Sequence, residues 1–270
     1  LQDYGVGIFD TVPTKSALKK VLKKKYITVN GAMATSATFI KGGEVIDLYF
    51  LEETTPKKKL IFPLEVLFED DYLALIHKPA GILVSGNSFK TIANALTQNL
   101  QWSNQPDATT PKPVHRLDFA TTGVLLVGKT INSIAVLNKL FEERAVEKTY
   151  YAVNIGAMQP QGIITSAIDG KASESRYWCC ASVVSQRFGV LNLVKLEPLT
   201  GRRHQLRKHL FSIGNPILGD KDYGIENLIL NGQGLYLHAY GIKFRHPFTN
   251  EDVDIKDAFP QRFRKIFPNL

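Results

Sequence analysis

A two-module α+β protein is the expectation from three observations. A lysine-dense segment with helical apolar spacing opens the chain, and a turn-linked pair of short β patterns follows it. Beyond a polar, proline-broken stretch, β-branched and aromatic runs recur with only a few helical patterns between them, as in a mixed fold around a large sheet. At 270 residues the chain exceeds the usual single domain of about 100–200 residues. With 44% hydrophobic and 21% charged residues it has the make-up of a globular protein with a real core, which excludes a disordered chain. It contains no apolar run of the roughly 20 residues that a membrane-crossing helix requires. The net charge of +8 favours a polyanionic partner, nucleic acid first, and leaves an anionic membrane or simple solubility open.

The first module begins with Lys15, Lys19, Lys20, Lys23, Lys24 and Lys25, interleaved with Ala17, Leu18, Val21 and Leu22 at helical spacing. This predicts an amphipathic helix with a densely basic face, capped by Thr14 behind Pro13. In "YITVNGAMATSATFIKGGEVIDLYF", Ile27 and Val29 alternate with polar residues up to Asn30-Gly31, a hairpin-turn dipeptide, and Val45–Phe50 reads as another strand. "LEETTPKKKLIFP" has no periodicity and reads as a linker. The division is residues 1–53, linker 54–63, and a second domain 64–270. In that domain "LEVLFEDDYLALIHKPAGILVSG" predicts strand, turn, strand and a Lys78-Pro79-Ala80-Gly81 loop, and residues 98–113 predict a surface loop. Residues 1–10 lack the pattern of a secretory leader, and the adjacent Cys179 and Cys180 suit neither bridging nor a zinc site, so a reducing cytoplasm is expected.

The stretch "VHRLDFATTGVLLVGKT", residues 114–130, holds two signatures. Gly123 to Thr130 is a formal G-x-x-x-x-G-K-T, yet a phosphate loop needs its four central residues to turn backbone N–H groups inward. Val124, Leu125, Leu126 and Val127 read instead as a buried strand. The polar cluster His115-Arg116-Leu117-Asp118 is the better site candidate, because chemistry favours loops carried on a buried scaffold. Taken alone, Asp118 is equally a turn cap.

"HRLDFATTG" resembles the H-R-L-D-x-x-T-S-G signature of RluA-type pseudouridine synthases. "EKTYYAVNIG" (147–156), "TGRRHQLRKHLFSIGNPILGD" and "LYLHAYGIKFRHPFTNE" resemble further segments of that family in the same order. The lysine helix with the hairpin after it resembles the RNA-binding domain of the ribosomal protein S-four type. Thr122, Arg203 and Glu44 depart from the usual Ser, Thr and Asp without removing a side chain the chemistry requires. The resemblance implies a small basic α/β RNA-binding module followed by a mixed, largely antiparallel-sheet catalytic domain. Its implied reaction isomerises specific uridines of structured ribosomal or transfer RNA, without cofactor or metal.

By the same resemblance Asp118 is the catalytic carboxylate, Arg207 its cationic partner and Tyr150 the ring that stacks on the uracil. A carboxylate in a dry pocket needs such a cation to stay ionised. Helical spacing places Leu206, Leu210 and Ile213 on one face, so that Leu206 lines the pocket while Arg203 and Arg207 lie a turn apart beside it. A uridine inside stacked RNA must be flipped out, and Arg116 is placed to occupy the space it leaves. His115 is read as a hydrogen-bonding support residue at the substrate, and Lys15, Lys19, Lys20, Lys23 and Lys24 as RNA contacts. His204 and His209 are off the i, i+4 register of a helical metal pair. The rival expectation is a non-catalytic RNA chaperone or assembly factor. Nothing in the chain demands more than a monomer.

Overall fold

The computed structural model describes residues 1, 4–9, 12–49, 60–230, 232 and 234–270. The chain divides into two compact units, residues 1–58 and 59–270. The linker residues 54–59, and Phe50 at the end of the anticipated strand, lie outside the described residues.

In the first unit, α1 (Lys15–Lys23) starts where the Thr14 hydroxyl accepts a hydrogen bond from the Ala17 N–H at 3.2 Å, the predicted cap. Leu18 and Leu22 are buried, and Lys15, Lys19, Lys20 and Lys23 are exposed. Lys24 is also exposed and lies over the Tyr26 ring. β1 (Ile27–Val29) pairs antiparallel with β2 (Ala32–Met33) and β3 (Ile46–Leu48). Asn30 and Gly31 turn between β1 and β2 with φ of +48° and +76°, the left-handed pair that makes Asn-Gly a hairpin turn.

The second unit runs β4 (Val66–Glu69), β5 (Leu73–Lys78), α2 (Ile92–Ala95), β6 (Ala108–Pro113), β7 (Thr122–Thr130), α3 (Ile131–Glu142), β8 (Glu147–Ile155) and β9 (Gln161–Ile164). It continues with β10 (Ser175–Ser185), β11 (Gly189–Pro198), α4 (Gln205–Ser212), β12 (Leu237–Arg245), β13 (Asp252–Lys256) and α5 (Gln261–Arg264). The sheet order is β4-β5-β7-β12-β8-β11-β10-β9, with β13 on β12 and β6 on β7, and among the described residues these strands pair antiparallel except β7 with β12. The mixed, largely antiparallel sheet is the one expected.

The formal phosphate-loop match is β7 itself, a strand buried on both faces. Leu125 and Val127 pack with Ala74 and Ile76, while Val124 and Leu126 pack on the opposite side with Leu73 and Leu75. Lys129 is committed to a buried contact of 2.7 Å with Glu69, and Thr130 caps α3. β6 corrects the anticipated loop: Pro111 and Pro113 are accommodated because β6 pairs irregularly along β7, where a missing N–H costs little. Gly123, with φ +119°, lets β7 meet β12 closely, for a Cβ there would lie 2.2 Å from the Ala239 carbonyl oxygen. That approach sets the spacing between the loop before β7 and the side chains of β12 and β8.

Candidate active site

The loop leading into β7 is pinned from beneath. Lys78, at the end of β5, is fully buried, and its Nζ donates to the carbonyls of Thr121 at 2.8 Å, Pro79 at 3.0 Å and Phe119 at 3.3 Å. Burial pushes its pKa down to about 8, against the opposing pull of Asp118. The Gly81 N–H also donates to Phe119 O, and Thr121 N–H to Asp118 O. The Lys78-Pro79-Ala80-Gly81 loop is therefore architectural, with its ammonium directed at backbone rather than phosphate. Leu117 is buried beside Asp118, whose side chain retains 19% exposure.

The opposing wall is α4. Gln205, at its first position, donates from Nε2 to Glu174 O and the Ser175 hydroxyl, while its Oε1 accepts from Thr200 and the Arg202 N–H. These bonds fix the helix start against the beginning of β10 and the turn that follows β11. Leu206 and Leu210 are buried as predicted, but Ile213 is exposed, and Arg203 lies in the turn before the helix instead of one turn along it. Arg207 makes a two-pronged contact with Asp220, Nε to Oδ2 and Nη2 to Oδ1, both at 2.7 Å, and Nη2 also reaches Asp222 at 2.7 Å. Burial opposes the guanidinium charge, but the carboxylates of Asp220, Asp222 and Asp118 outweigh it and hold the arginine pKa above its ordinary value. The remaining Nη1 stands 3.7 Å from Asp118 Oδ2. This is a charge contact longer than a hydrogen bond.

Asp220 itself is placed by backbone. Leu218 donates to Val153 O of β8 and accepts from the Tyr236 N–H, and Asp220 Oδ1 then receives the N–H groups of Asp222 and Tyr223. His204 completes the surroundings of Asp118, with Nε2 3.8 Å from Oδ1 and Nδ1 3.0 Å from the Tyr223 hydroxyl. Its left-handed backbone, φ +55°, gives it a special place at the helix start. Sequence reasoning weighed His204 only as a metal ligand, and it passed over Asp220, Asp222 and Tyr223. The "RRHQ" and "LGD" strings marked the places without revealing the contacts. His209 is turned away into hydrogen bonds with Ser173 and Ser175.

Tyr150, on β8, faces Leu196 of β11 and Ala239 of β12 across the sheet. Burial first, and the Asp118 charge second, push its phenol well above the ordinary tyrosine pKa, so the ring is present as a neutral hydroxyl. Neighbouring Tyr151 packs edge-on against Tyr240 and Phe259. His115 accepts at Nε2 from the Leu126 N–H at 2.9 Å and stacks on Phe141, a support role. Burial, helped by Lys148, drives its pKa down to about 3. Arg116 is exposed on the same loop.

Two clefts meet at this cluster. The larger, about 710 Å³, is bordered by His115, Tyr150, Leu206, Arg144, Lys148 and Arg202. The smaller, about 470 Å³, is bordered by Leu83, Phe119, Gly219 and Lys221. Arg116, Asp118, Arg203, His204 and Arg207 line both. The predicted residues Asp118, Arg207, Tyr150, Leu206, His115 and Arg116 are thus brought together at one cleft, whereas the lysines of α1 belong to the first unit.

The fold is that of solved pseudouridylate synthase domains. The structure titled human RNA pseudouridylate synthase domain containing 4 superposes with a TM-score of 0.60 at 25% identity, covering 74% of this chain and 90% of that one. Residues 72–212 match the family model described as RNA pseudouridylate synthase. The chain is 32% identical over 265 residues to ribosomal large subunit pseudouridine synthase D of Nitrosomonas europaea, covering 88% of this chain and 75% of that protein. It is 30% identical to ribosomal large subunit pseudouridine synthase C of Rickettsia felis, covering 94% of this chain and 91% of that protein. The chain belongs to the RNA pseudouridylate synthase family. It is an enzyme, a pseudouridine synthase, and the non-catalytic reading is set aside.

The depressed pKa of half-buried His115 has a consequence for acid stability. Between its folded value of about 3 and the unfolded value of about 6.5, the unfolded chain binds the extra proton. Stability contributed by neutral His115 is therefore present above pH 6.5 and lost as pH falls through this window, by at most about 1.4 kcal/mol per pH unit. His115→Gln should lose less stability than the parent between pH 7 and pH 4.5 in urea titrations. Identical pH slopes would show that His115 is not held neutral by the fold.

Proposed function

We propose that the chain converts a uridine of large-subunit ribosomal RNA to pseudouridine, with Asp118 as the catalytic carboxylate. The observation that carries this reading is the position of Asp118, partly open at the junction of two clefts, with the anchored Arg207 guanidinium 3.7 Å away. Ribosomal RNA is chosen over transfer RNA because the relatives are named for the large ribosomal subunit. Isomerisation breaks the bond from uracil N1 to ribose C1′, turns the base and joins C5 to C1′; the C5 proton leaves and N1 gains one. Atoms and electrons balance within the substrate, so the reaction is assigned no cofactor, metal or nucleotide.

In this reading the flipped uracil enters the larger cleft against Tyr150, whose neutral ring provides a stacking surface, and Leu206 excludes water beside it. Asp118 faces the sugar and base, Arg207 supplies its charge partner, and Arg116 fills the vacated space in the RNA. The first unit acts as an RNA-binding module of the S-four type, gripping phosphates through Lys15, Lys19, Lys20, Lys23 and Lys24. The enzyme works in the cytoplasm as a monomer.

Pseudouridine mapping of unmodified ribosomal and transfer RNA, incubated with protein alone, tests the central assignment. Asp118→Asn should lower conversion by about a thousand-fold or more, and retained conversion would remove Asp118 from the chemistry. Arg116→Ala should slow conversion of folded RNA at least about ten-fold more than conversion of a single-stranded fragment. Equal losses on both would exclude a flipping role. Replacing Lys19, Lys20 and Lys23 with Gln should flatten the slope of log affinity against log salt by about 0.7–0.9 per lost phosphate contact. An unchanged slope would locate the RNA grip elsewhere.

A further inference from the structure

The smaller cleft is not needed to hold the target base. Its rim carries two apolar side chains that folding leaves in water, Phe119 at 55% and Leu83 at 41% exposure. Each belongs to a segment held by backbone contacts: Phe119 O accepts from Gly81 N–H and from Lys78 Nζ, and Leu83 O accepts from Ile92 N–H. Phe119 is therefore an exposed ring on an anchored loop, directly after Asp118. Gly219 and Gly234 border the same cleft, their backbones in close approach: at Gly219, φ +78°, a Cβ would lie 2.0 Å from the Gly234 carbonyl oxygen. Arg116, Arg203 and Lys221 are exposed cations around the same cleft, and the carboxylates that also line it, Asp118, Asp220 and Asp222, all face Arg207. At about 470 Å³ the space falls within the roughly 300–1,000 Å³ of small-ligand sites.

An exposed aromatic ring on an anchored loop with cations around it suits a base with its phosphate. This cleft shares Asp118, Arg116 and Arg207 with the larger one, so the two open side by side at the carboxylate. We infer that the smaller cleft binds the unpaired nucleotide adjacent to the target uridine, with its base stacked on Phe119 and its phosphate held by Arg203 and Lys221. Phe119 is thus a specificity-determining residue that asks for an unstacked neighbour beside the uridine. The inference rests on the uridine entering the larger cleft, as proposed above.

The test uses the full chain and an RNA fragment spanning whichever uridine mapping shows to be converted, with 2-aminopurine or an abasic ribose placed on its 5′ or its 3′ side. Binding is read in the Asp118→Asn background, so that no turnover intervenes. Adding Phe119→Ala should weaken binding about ten-fold and change 2-aminopurine fluorescence at one flank only. Phe119→Trp should restore binding, and an abasic ribose at that flank should abolish the difference between Phe and Ala. Unchanged fluorescence at both flanks overturns the inference, as does a Phe119→Ala defect that persists on both abasic RNAs. If no uridine is converted, the proposed function and this inference fall together. Conversion with a Phe119-independent flank removes the inference alone.

Discussion

Asp118 meets its cationic partner because two buried charges are tied down before the carboxylate is considered. Lys78 spends its ammonium on three carbonyls around the Asp118 loop, and Asp220 takes Arg207 in a two-pronged bond that leaves Nη1 for Asp118. Unpaired, either cation would carry a large desolvation penalty. Paired in this way, each fixes the backbone or helix around it. Asp118 receives a charge neighbour without having to hold that neighbour in place, a preorganised arrangement of charge.

The sheet supplies the frame for these anchors. Gly123 lets β7 and β12 approach, and β12 pairs with β8, so the loop carrying Asp118 and the strand carrying Tyr150 are spaced by backbone pairing. α4 is stapled through Gln205 to the start of β10 and to Thr200 in the turn after β11, and the segment bearing Asp220 is hydrogen-bonded to β8. Opposed charges therefore sit on separate, independently braced elements. The partly open carboxylate lies between two clefts bordered by arginine and lysine, a surface suited to a polyanion.

Local elements were legible wherever one short segment contained its own reason. Thr14 begins α1 because its hydroxyl can cap, Asn30-Gly31 turns because both residues accept left-handed backbone, and Val124 to Val127 form a strand because both faces find apolar neighbours. β6 was hidden by Pro111 and Pro113, which read as loop until β7 offered an irregular partner. His204 was hidden for another reason: its contact with Asp118 spans 86 positions, and helical spacing gives no sign of it.

Local sequence was enough for the mixed α+β class, the basic helix and its cap and the strand that occupies a formal phosphate-loop motif; resemblance added the family and singled out Asp118, Tyr150, Arg207 and Leu206, which the fold gathers at one cleft. Those follow from periodicity, turn chemistry and ordered motifs, all of which are local in the chain. Tertiary contacts alone reveal that Lys78 braces the Asp118 loop, that Asp220 and Asp222 orient Arg207, that the bond His115 accepts comes from Leu126 of β7, and that a second cleft opens beside Phe119. The physical reason is that ion pairing and cleft shape depend on distances between segments far apart in sequence, and sheet pairing sets those distances.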